Sequence, residues 1–303
     1  MIYLFNRTIT FIIPLLPKFL IRLFANKYIS GTTHSTALEI IKKLNKNNLS
    51  ATIDILGEHT ASISEANFTT SEYIQLFQEI SLKELDCNIS IKPSHIGSDI
   101  SKELFLNNLN KIHCTSIQYN NFLRIDMEDS SFTDLTISAF EKQYEKSKNI
   151  GIVIQAYLKR SWEDIDNLNN GTNIRLCKGI YNENTNIAIK DPEKININFI
   201  NLFKKAVEKN IYVGIATHDL NLINNIKRII KDTNINRNKF EFQVLYGVPM
   251  GNNIQHIINE GYKVRVYVPF GVNWYKYSIR RLKENPNIVG YIIKNIFKNN
   301  FYK

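Results

Sequence analysis

Short apolar runs rich in β-branched residues alternate with longer polar–apolar stretches along the chain from about residue 50. Eight such runs occur, and they begin at Ala51, Asn88, Phe122, Gly151, Asn173, Tyr212, Phe240 and Lys263. Between them, apolar residues recur at steps of three and four, which is the spacing of an amphipathic helix. The alternation predicts parallel strands covered by helices. Eight repeats in this length predict an α/β fold, a (βα)8 barrel of the TIM type.

Two of the intervening stretches carry clear helix signals. The stretch from Ser62 to Ile80 opens with candidate cap residues, and the stretch from Asn198 to Asn210 ends in Lys-Asn, a suitable helix exit. A doubly wound sheet is the alternative fold. No Gly-x-Gly-x-x-Gly follows any predicted strand, however, so a dinucleotide-binding site of the Rossmann type lacks its main support.

The first 48 residues are predicted to form an N-terminal helical arm and a first helix, and residues 49–303 are predicted to form the barrel. The arm is apolar and basic, with no acidic residue before Glu39. Its uncharged run from Thr8 to Pro17 is shorter than the roughly 18–20 residues that span a bilayer. Two interpretations stay open: an arm packed on the barrel, or an interfacial element that presents basic residues to anionic headgroups, namely Arg7, Lys18, Arg22 and Lys27.

Net charge and the positions of cysteine and histidine exclude few classes of function. The net charge of +10 favours anionic partners weakly, and no basic helix with interleaved aromatic residues predicts a nucleic-acid partner. The three cysteines and six histidines are scattered, without Cys-x-x-Cys or His-x-x-x-His pairs. We therefore expect no metal site and no disulfide framework, and a reducing, cytoplasmic compartment fits.

Polar residues stand at the ends of most predicted strands. The carboxyl ends of the strands carry the active site in (βα)8 barrels. The residues at these ends include Glu58, Lys92, Asp126, Gln155, Lys178, Thr217 and His218. A lysine within or directly after an apolar run must be paired or functional, because removing an ammonium ion from water is costly.

Each of these residues has a structural and a functional interpretation. Lys92 either reaches solvent or contacts an anion in the barrel mouth, and Asp126 either caps a helix or pairs with Lys92. Arg175, Lys178 and Gly179 together suit an anion or an electron-rich ring. Lys178 alone would suit a Schiff-base aldolase.

An arginine doublet, Arg280 and Arg281, follows the last predicted strand. A helix that starts near Asn273 places the doublet one turn from Glu284, which in the simplest interpretation makes a weak surface ion pair. Because the helix follows the eighth strand, its early turns border the barrel mouth. Two guanidinium groups there would suit a carboxylate.

Taken together, these motifs resemble those of the monofunctional bacterial proline dehydrogenases. The resemblance covers about residues 28 to 290 and rests, in order, on IDILGE, RIDMEDS, GIVIQAYLKRS, IRLCKGIY, ATHD, FEFQVLYG and YVPFGVNWYKYSIRRLKENP. It implies an FAD-bearing barrel that oxidises L-proline to Δ1-pyrroline-5-carboxylate, the first step of proline catabolism to glutamate, and passes electrons to a membrane quinone. No aldehyde-dehydrogenase domain is recognised, so a separate pyrroline-5-carboxylate dehydrogenase would be needed.

The resemblance also implies roles by position. The catalytic residues would be Asp126, which organises Lys92 and the pocket, and Arg175, which stabilises the reduced flavin. The substrate-binding residues would be Lys92, Tyr267, Arg280, Arg281, Leu245, Glu58 and Glu284. The residues that line the flavin would be Met127, Gln155, Arg175, Lys178, Gly179, Tyr181, Thr217 and His218.

Other functions remain open at this stage. A Schiff-base lyase or aldolase built on Lys178 is one, and a non-catalytic barrel that binds a membrane is another. A folate-reducing flavoenzyme shares the expected fold but does not account for the arginine doublet. The expected location is the cytoplasm, with peripheral contact to the inner membrane as an open alternative.

Overall fold

Eight parallel strands close into a barrel in the computed structural model, which describes residues 18–248, 250–275 and 277–279. The strands are β1 Ser50–Ile55, β2 Cys87–Ile91, β3 Leu123–Ile125, β4 Ile150–Gln155, β5 Asn173–Cys177, β6 Tyr212–Ala216, β7 Phe240–Leu245 and β8 Val264–Phe270. Each pairs with the next in the chain, and β8 pairs with β1. The predicted (βα)8 barrel is confirmed, and every strand overlaps its predicted run.

Helices precede the barrel and follow its strands. Two come first in the described part of the chain, α1 Lys18–Tyr28 and α2 His34–Lys46. The helices after β1 to β7 are α3 Ile63–Leu82, α4 Lys102–Gln118, α5 Thr133–Lys146, α6 Ser161–Asn167, α7 Pro192–Glu208, α8 Leu220–Asp232 and α9 Asn253–Asn259. Residues 274–275 and 277–279 after β8 are also helical. The division into an arm of residues 1–48 and a barrel of residues 49–303 stays a prediction.

Local sequence sets where the helices begin. Ser62 caps α3 with its side chain, as expected from the start of that stretch. Helix α7 begins at Pro192, earlier than the predicted start at Asn198. The side chain of Asp191 caps the first turn there, and a proline fits the first helical position because its missing N–H is not needed.

Five helices turn into the next strand through a residue in the left-handed conformation. These residues are Asn48, Glu84, Asn120, Asn210 and Asn234, with φ between 47° and 58°. Asparagine tolerates this conformation better than most residues, so it serves in place of glycine at the end of a helix. The predicted Lys-Asn exit of α7 is one of these turns.

The barrel interior is polar, and the apolar core lies between the strands and the surrounding helices. Strand β7 illustrates the alternation, because Phe240 and Phe242 join the apolar core whereas Glu241 and Gln243 bind polar partners inside the barrel. Buried polar residues from the other strands include Thr52, Asp54, Asn88, Ser90, Arg124 and Arg175. A buried polar interior must be internally hydrogen-bonded, which makes these positions strongly interdependent.

The described part of the arm packs against the barrel. The Ser30 backbone N–H and hydroxyl both donate to the Pro269 carbonyl, at 2.9 and 3.1 Å, and the Gly271 N–H donates to the Gly31 carbonyl at 3.0 Å. These bonds join the chain after α1 to the end of β8. No helix among the described residues is long and apolar enough to cross a membrane.

Candidate active site

A cavity of about 500 Å³ opens at the carboxyl ends of the strands. Every predicted site residue within the described ranges lines this cavity. They are Glu58, Lys92, Asp126, Met127, Gln155, Arg175, Lys178, Gly179, Tyr181, Thr217, His218, Leu245 and Tyr267. The arginine doublet and Glu284 lie outside the described residues. Residues from separate motifs therefore meet in one place, as the barrel prediction requires.

The guanidinium of Arg175 reaches across the barrel from β5. Its Nη1 donates to Asp126 Oδ1 at 2.6 Å, its Nε to Gln243 Oε1 at 2.7 Å and its Nη2 to Ser90 Oγ at 3.0 Å. The Tyr267 ring lies over the guanidinium, 4.9 Å from Cζ to the ring centroid, and its hydroxyl donates to Asp126 Oδ2 at 2.8 Å. Burial and Asp126 raise the pKa of Tyr267, so the hydroxyl remains a donor. Arg175 is thus a fixed positive charge in the cavity wall.

Lys92 forms a buried ion pair with Asp54. The distance from Nζ to Oδ2 is 2.6 Å, and the two side chains are 11% and 1% exposed. Of the two interpretations of Asp126, direct pairing with Lys92 is wrong, because Arg175 and Tyr267 bind the Asp126 carboxylate. Strand β1 lies beside β2 with Asp54 opposite Ser90, which brings the Asp54 carboxylate to the lysine that follows β2.

Gln155, at the end of β4, has an amide oxygen without a partner. Its Nε2 donates to the Glu128 carbonyl at 3.3 Å, whereas Oε1 is buried and accepts no hydrogen bond from the described residues. The Glu128 carboxylate accepts from the Ser94 backbone N–H at 2.7 Å and from the Ser94 hydroxyl. A buried acceptor without a donor is costly, and an N–H group of a bound molecule would satisfy it.

Lys178 and Gly179 line the cavity directly after β5. Lys178 Nζ donates to Asp219 Oδ2 at 2.7 Å, and Asp219 also caps α8. Gly179 has a φ of 102°, and a Cβ at this position would lie 2.1 Å from the Tyr157 ring. Only glycine fits there, because the backbone packs directly against the Tyr157 ring.

His218, after β6, is held by a backbone hydrogen bond. The Leu245 N–H donates to His218 Nε2 at 2.9 Å. Because Nε2 accepts, the neutral ring carries its proton on Nδ1. The neighbouring Thr217 Oγ1 accepts from the backbone N–H of Asp219 at 3.2 Å. These bonds fix the wall between β6 and β7.

A small apolar cluster lies beside the cavity. Ala25 and Ile29 of the arm pack with Leu56 after β1 and with Trp274 and Tyr277 after β8. Tyr277 also lines the cavity. The arm therefore contacts the segment that immediately precedes the arginine doublet in the chain.

Sequence reasoning missed several residues of the cavity and its network. Asp54, Ser90 and Gln243 lie within strands, and Tyr277 follows the last one. A signal was available for the strand residues, because polar side chains at alternate positions of an apolar run share one face of the strand. Counting alternate positions instead of strand ends would have found them.

Comparison with known proteins distinguishes the proline dehydrogenase interpretation from the lyase and the non-catalytic barrel. A family model described as proline dehydrogenase matches residues 37–292. The chain belongs to the proline dehydrogenase family. The match begins within α2 and covers all eight strands of the barrel.

Curated relatives agree with this assignment. Proline dehydrogenase 1 of Bacillus subtilis (strain 168) is 37% identical over 278 residues, which cover 91% of this chain and 92% of the relative. The proline dehydrogenase of Deinococcus radiodurans is 30% identical over 90% of each chain. These relatives match the chain in length, as the predicted resemblance to monofunctional members requires.

Solved structures of the family share the barrel. Proline utilization A (PutA) of Bdellovibrio bacteriovorus, inactivated by N-propargylglycine, aligns with a TM-score of 0.79 and 26% identity over 92% of this chain. The alignment covers only 34% of that longer protein, so this chain spans about a third of the PutA length. The likeness therefore concerns the proline dehydrogenase barrel and not the rest of PutA.

Proposed function

We propose that the proline oxidation which the family membership assigns to this chain uses FAD and yields Δ1-pyrroline-5-carboxylate. Electrons would pass to a membrane quinone, and a separate pyrroline-5-carboxylate dehydrogenase would complete the conversion to glutamate. One observation carries the cofactor proposal. The same cavity holds a buried acceptor without a donor, Gln155 Oε1, and a fixed positive charge, Arg175.

The chemistry of the cavity fits a flavin. A flavin ring carries an N–H donor and carbonyl acceptors, and it gains negative charge on reduction. Gln155 Oε1 would accept from the N–H, and the cations of Arg175 and Lys178 would favour the reduced ring. Gly179 lines the same cavity. The other proposed flavin contacts, Met127, Tyr181, Thr217 and His218, line the same cavity.

The residues proposed to bind proline are assigned from their charge and shape. Lys92 and the arginine doublet would bind the proline carboxylate, because guanidinium groups suit a carboxylate through paired hydrogen bonds. The Tyr267 ring would pack against the pyrrolidine ring, and Leu245 would enclose it. Glu58 and Glu284 would pair with the doublet and control its position.

When bound, FAD supplies the acceptor for the hydride that leaves the carbon next to the proline nitrogen. The chain would hold the carboxylate by charge and keep a cation beside the reacting atoms. Asp126 fixes Arg175, and Tyr267 covers the face of the guanidinium. The positive charge is therefore in place before reaction and needs no rearrangement.

A Schiff-base lyase built on Lys178 is not favoured. Such chemistry needs a desolvated, unprotonated amine. Lys178 Nζ lies 2.7 Å from Asp219 Oδ2, and its side chain is 34% exposed. Lys178 is therefore an ion-paired and partly exposed side chain, not the desolvated and unpaired amine that this chemistry needs.

The cofactor proposal is tested by FAD binding to paired glutamine variants. Gln155→Leu removes the proposed acceptor, so FAD affinity should fall about tenfold or more, as expected for a lost hydrogen bond in a buried site. Gln255→Leu on the exposed face of α9 is the matched control and should bind FAD normally. Quenching of FAD fluorescence measures both. Equal affinity of Gln155→Leu and the unchanged chain contradicts the role of Gln155, and a chain that never binds FAD contradicts the cofactor.

The proposed location is the cytoplasm, with peripheral contact to the inner membrane through the arm. Lys18 and Arg22 are exposed on α1. Lys18 Nζ lies 5.6 Å from the centroid of the Tyr275 ring, and Arg22 Cζ lies 5.8 Å from the centroid of the Trp274 ring. Paired cations and aromatic rings suit the headgroup region of an anionic membrane. Flotation with anionic vesicles tests this contact. Binding should be lost in the double variant Lys18→Glu/Arg22→Glu, and equal binding of the variant removes the arm from the contact.

A further inference from the structure

The ion pair between Lys92 and Asp54 lies among further titratable groups. Asp126 and Glu128, at the end of β3, act on Lys92 through their charges. His95 follows in the turn after β2, and burial lowers its pKa to about 3, so it is neutral near pH 7. Lys92 therefore faces three carboxyl groups, and Asp54 alone makes direct contact among the ion pairs of the described residues.

A lysine buried this deeply would ordinarily lose its proton. Burial lowers the pKa of Lys92, but the charges of Asp54 and Asp126 and the hydrogen bond that Lys92 donates to Asp54 outweigh burial and raise it. Burial likewise raises the pKa of Asp54. The charged state of Lys92 thus depends chiefly on one carboxylate, the one that lies 2.6 Å from its Nζ.

The product of proline oxidation makes this charge important. The product is a cyclic imine, and addition of water across its C=N bond opens the ring to an amine and an aldehyde. A neutral lysine attacks an aldehyde carbon through its lone pair, a C–N bond forms, and loss of water leaves a new imine. An ammonium ion has no lone pair and does not react. Since Lys92 is proposed to bind the carboxylate of the same molecule, the aldehyde would form within its reach.

We propose that Asp54 is a positioning residue that keeps Lys92 as an ammonium ion, so that Lys92 binds carboxylates without being captured by the aldehyde form of the product. The inference rests on the proposed function for the identity of that aldehyde. Its structural basis is the buried ion pair itself. Asp54 acts through Lys92, because its own side chain is only 1% exposed.

Covalent labelling of Lys92 in the purified full chain tests the proposal. Glyoxylate, a small aldehyde with a carboxylate, is added together with cyanoborohydride. The reductant delivers hydride to the imine carbon, the nitrogen takes a proton from water, and a stable secondary amine results. Peptide mass spectrometry then measures the labelling of Lys92 from neutral to alkaline pH. Lys178, more exposed in the same cavity, is the internal reference.

In the unchanged chain, labelling of Lys92 should be slow at neutral pH and should rise only above the ordinary lysine value of 10.5. In Asp54→Asn, labelling at neutral pH relative to Lys178 should rise about tenfold or more, with the profile shifted down by about one pH unit or more. Asp54→Glu keeps a carboxylate and should restore protection. Limited access of the aldehyde to Lys92 would lower the labelling rate by the same factor at every pH. A shift of the labelling profile along the pH axis therefore reports a change in the charge on Lys92.

Identical profiles for the unchanged chain and Asp54→Asn overturn the proposal. So does labelling of Lys92 at neutral pH as fast as Lys178 in the unchanged chain, a result that requires no variant to fold. Failure of the proposed function is seen separately. A chain that neither binds FAD nor oxidises proline still reports the labelling profile of Lys92.

Discussion

Arg175 and Asp126 lie 2.6 Å apart although their strands, β5 and β3, are separated by β4 in the barrel. The ion pair therefore spans the barrel interior instead of joining neighbouring strands. Gln243 and Ser90 hold the remaining nitrogens of the guanidinium. A positive charge with three side-chain partners is oriented by the fold itself, which suits a reaction that develops negative charge nearby.

Arg175→Lys tests this orientation, because lysine keeps the charge but cannot reproduce the fork of directional bonds. We expect turnover with proline to fall about 100-fold, the effect of losing one preorganised donor at a reacting centre. The reduction potential of the bound flavin should become more negative. Anaerobic kinetics and redox titration measure the two effects. Arg160→Lys, on a half-exposed arginine outside the cavity, is the control, and an unchanged potential in Arg175→Lys contradicts the assignment.

Tyr267→Phe removes the hydroxyl that donates to Asp126 and leaves the ring over Arg175. Losing a buried hydrogen bond to a charged group should lower the free energy of unfolding by about 1.5–3 kcal/mol. Urea unfolding measures the change. Tyr144→Phe is the matched control, since this buried tyrosine makes no hydrogen bond through its hydroxyl among those described. Equal losses in the two variants show that the Asp126 bond contributes nothing specific.

Tyr267→Ser tests the proposed contact with the pyrrolidine ring. The smaller side chain should lower kcat/KM for proline and raise the relative use of hydroxyproline, because the added hydroxyl gains room. The ratio of kcat/KM for the two substrates measures this selectivity. A ratio equal to that of the unchanged chain removes Tyr267 from contact with the substrate ring.

The barrel was predictable because each strand is a short β-branched run and each intervening stretch has helical spacing. The location of the site followed, since polar strand ends meet on one face of such a barrel. The start of α7 was harder to predict. Its first turns hold few apolar residues, so the boundary depended on the cap formed by Asp191 and Pro192.

The pairing of charges inside the barrel was not predictable from sequence. Lys92 follows β2, and both neighbouring strands offer an acid, Asp54 from β1 and Asp126 from β3. Which acid reaches the lysine depends on strand register and on competing partners. Arg175, on a strand two positions from β3, forms the ion pair with Asp126, and no local sequence pattern predicts a contact between such distant strands. The roles of the arginine doublet stay predictions.

Gly151→Ala tests how tightly the polar interior is packed. A Cβ at Gly151 would lie 2.3 Å from the Asn173 carbonyl oxygen and 2.6 Å from Arg124 Nη1. The Asn173 carbonyl is a backbone group, so β5 must shift to remove this clash. We therefore expect the free energy of unfolding to fall by about 1–3 kcal/mol. Gly214→Ala meets only the end of the Gln243 side chain and should cost less. The reverse order in urea unfolding contradicts this packing.

His95 gives the protein a specific acid sensitivity. Burial and Lys92 lower the pKa of His95 from 6.5 to about 3. The unfolded chain therefore takes up a proton below pH 6.5 that the folded chain resists until about pH 3, so stability is full above 6.5 and falls across this window. His95→Asn should flatten that fall in urea unfolding measured at several pH values. Parallel stability curves for the two proteins contradict a buried neutral imidazole.

Anaerobic addition of L-proline to the purified, FAD-loaded protein tests the central claim most directly. The visible spectrum reports the oxidation state of the flavin without any second substrate. We expect the flavin absorbance to bleach with L-proline and to persist with D-proline and hydroxyproline. A flavin that stays oxidised in the presence of L-proline would contradict the account.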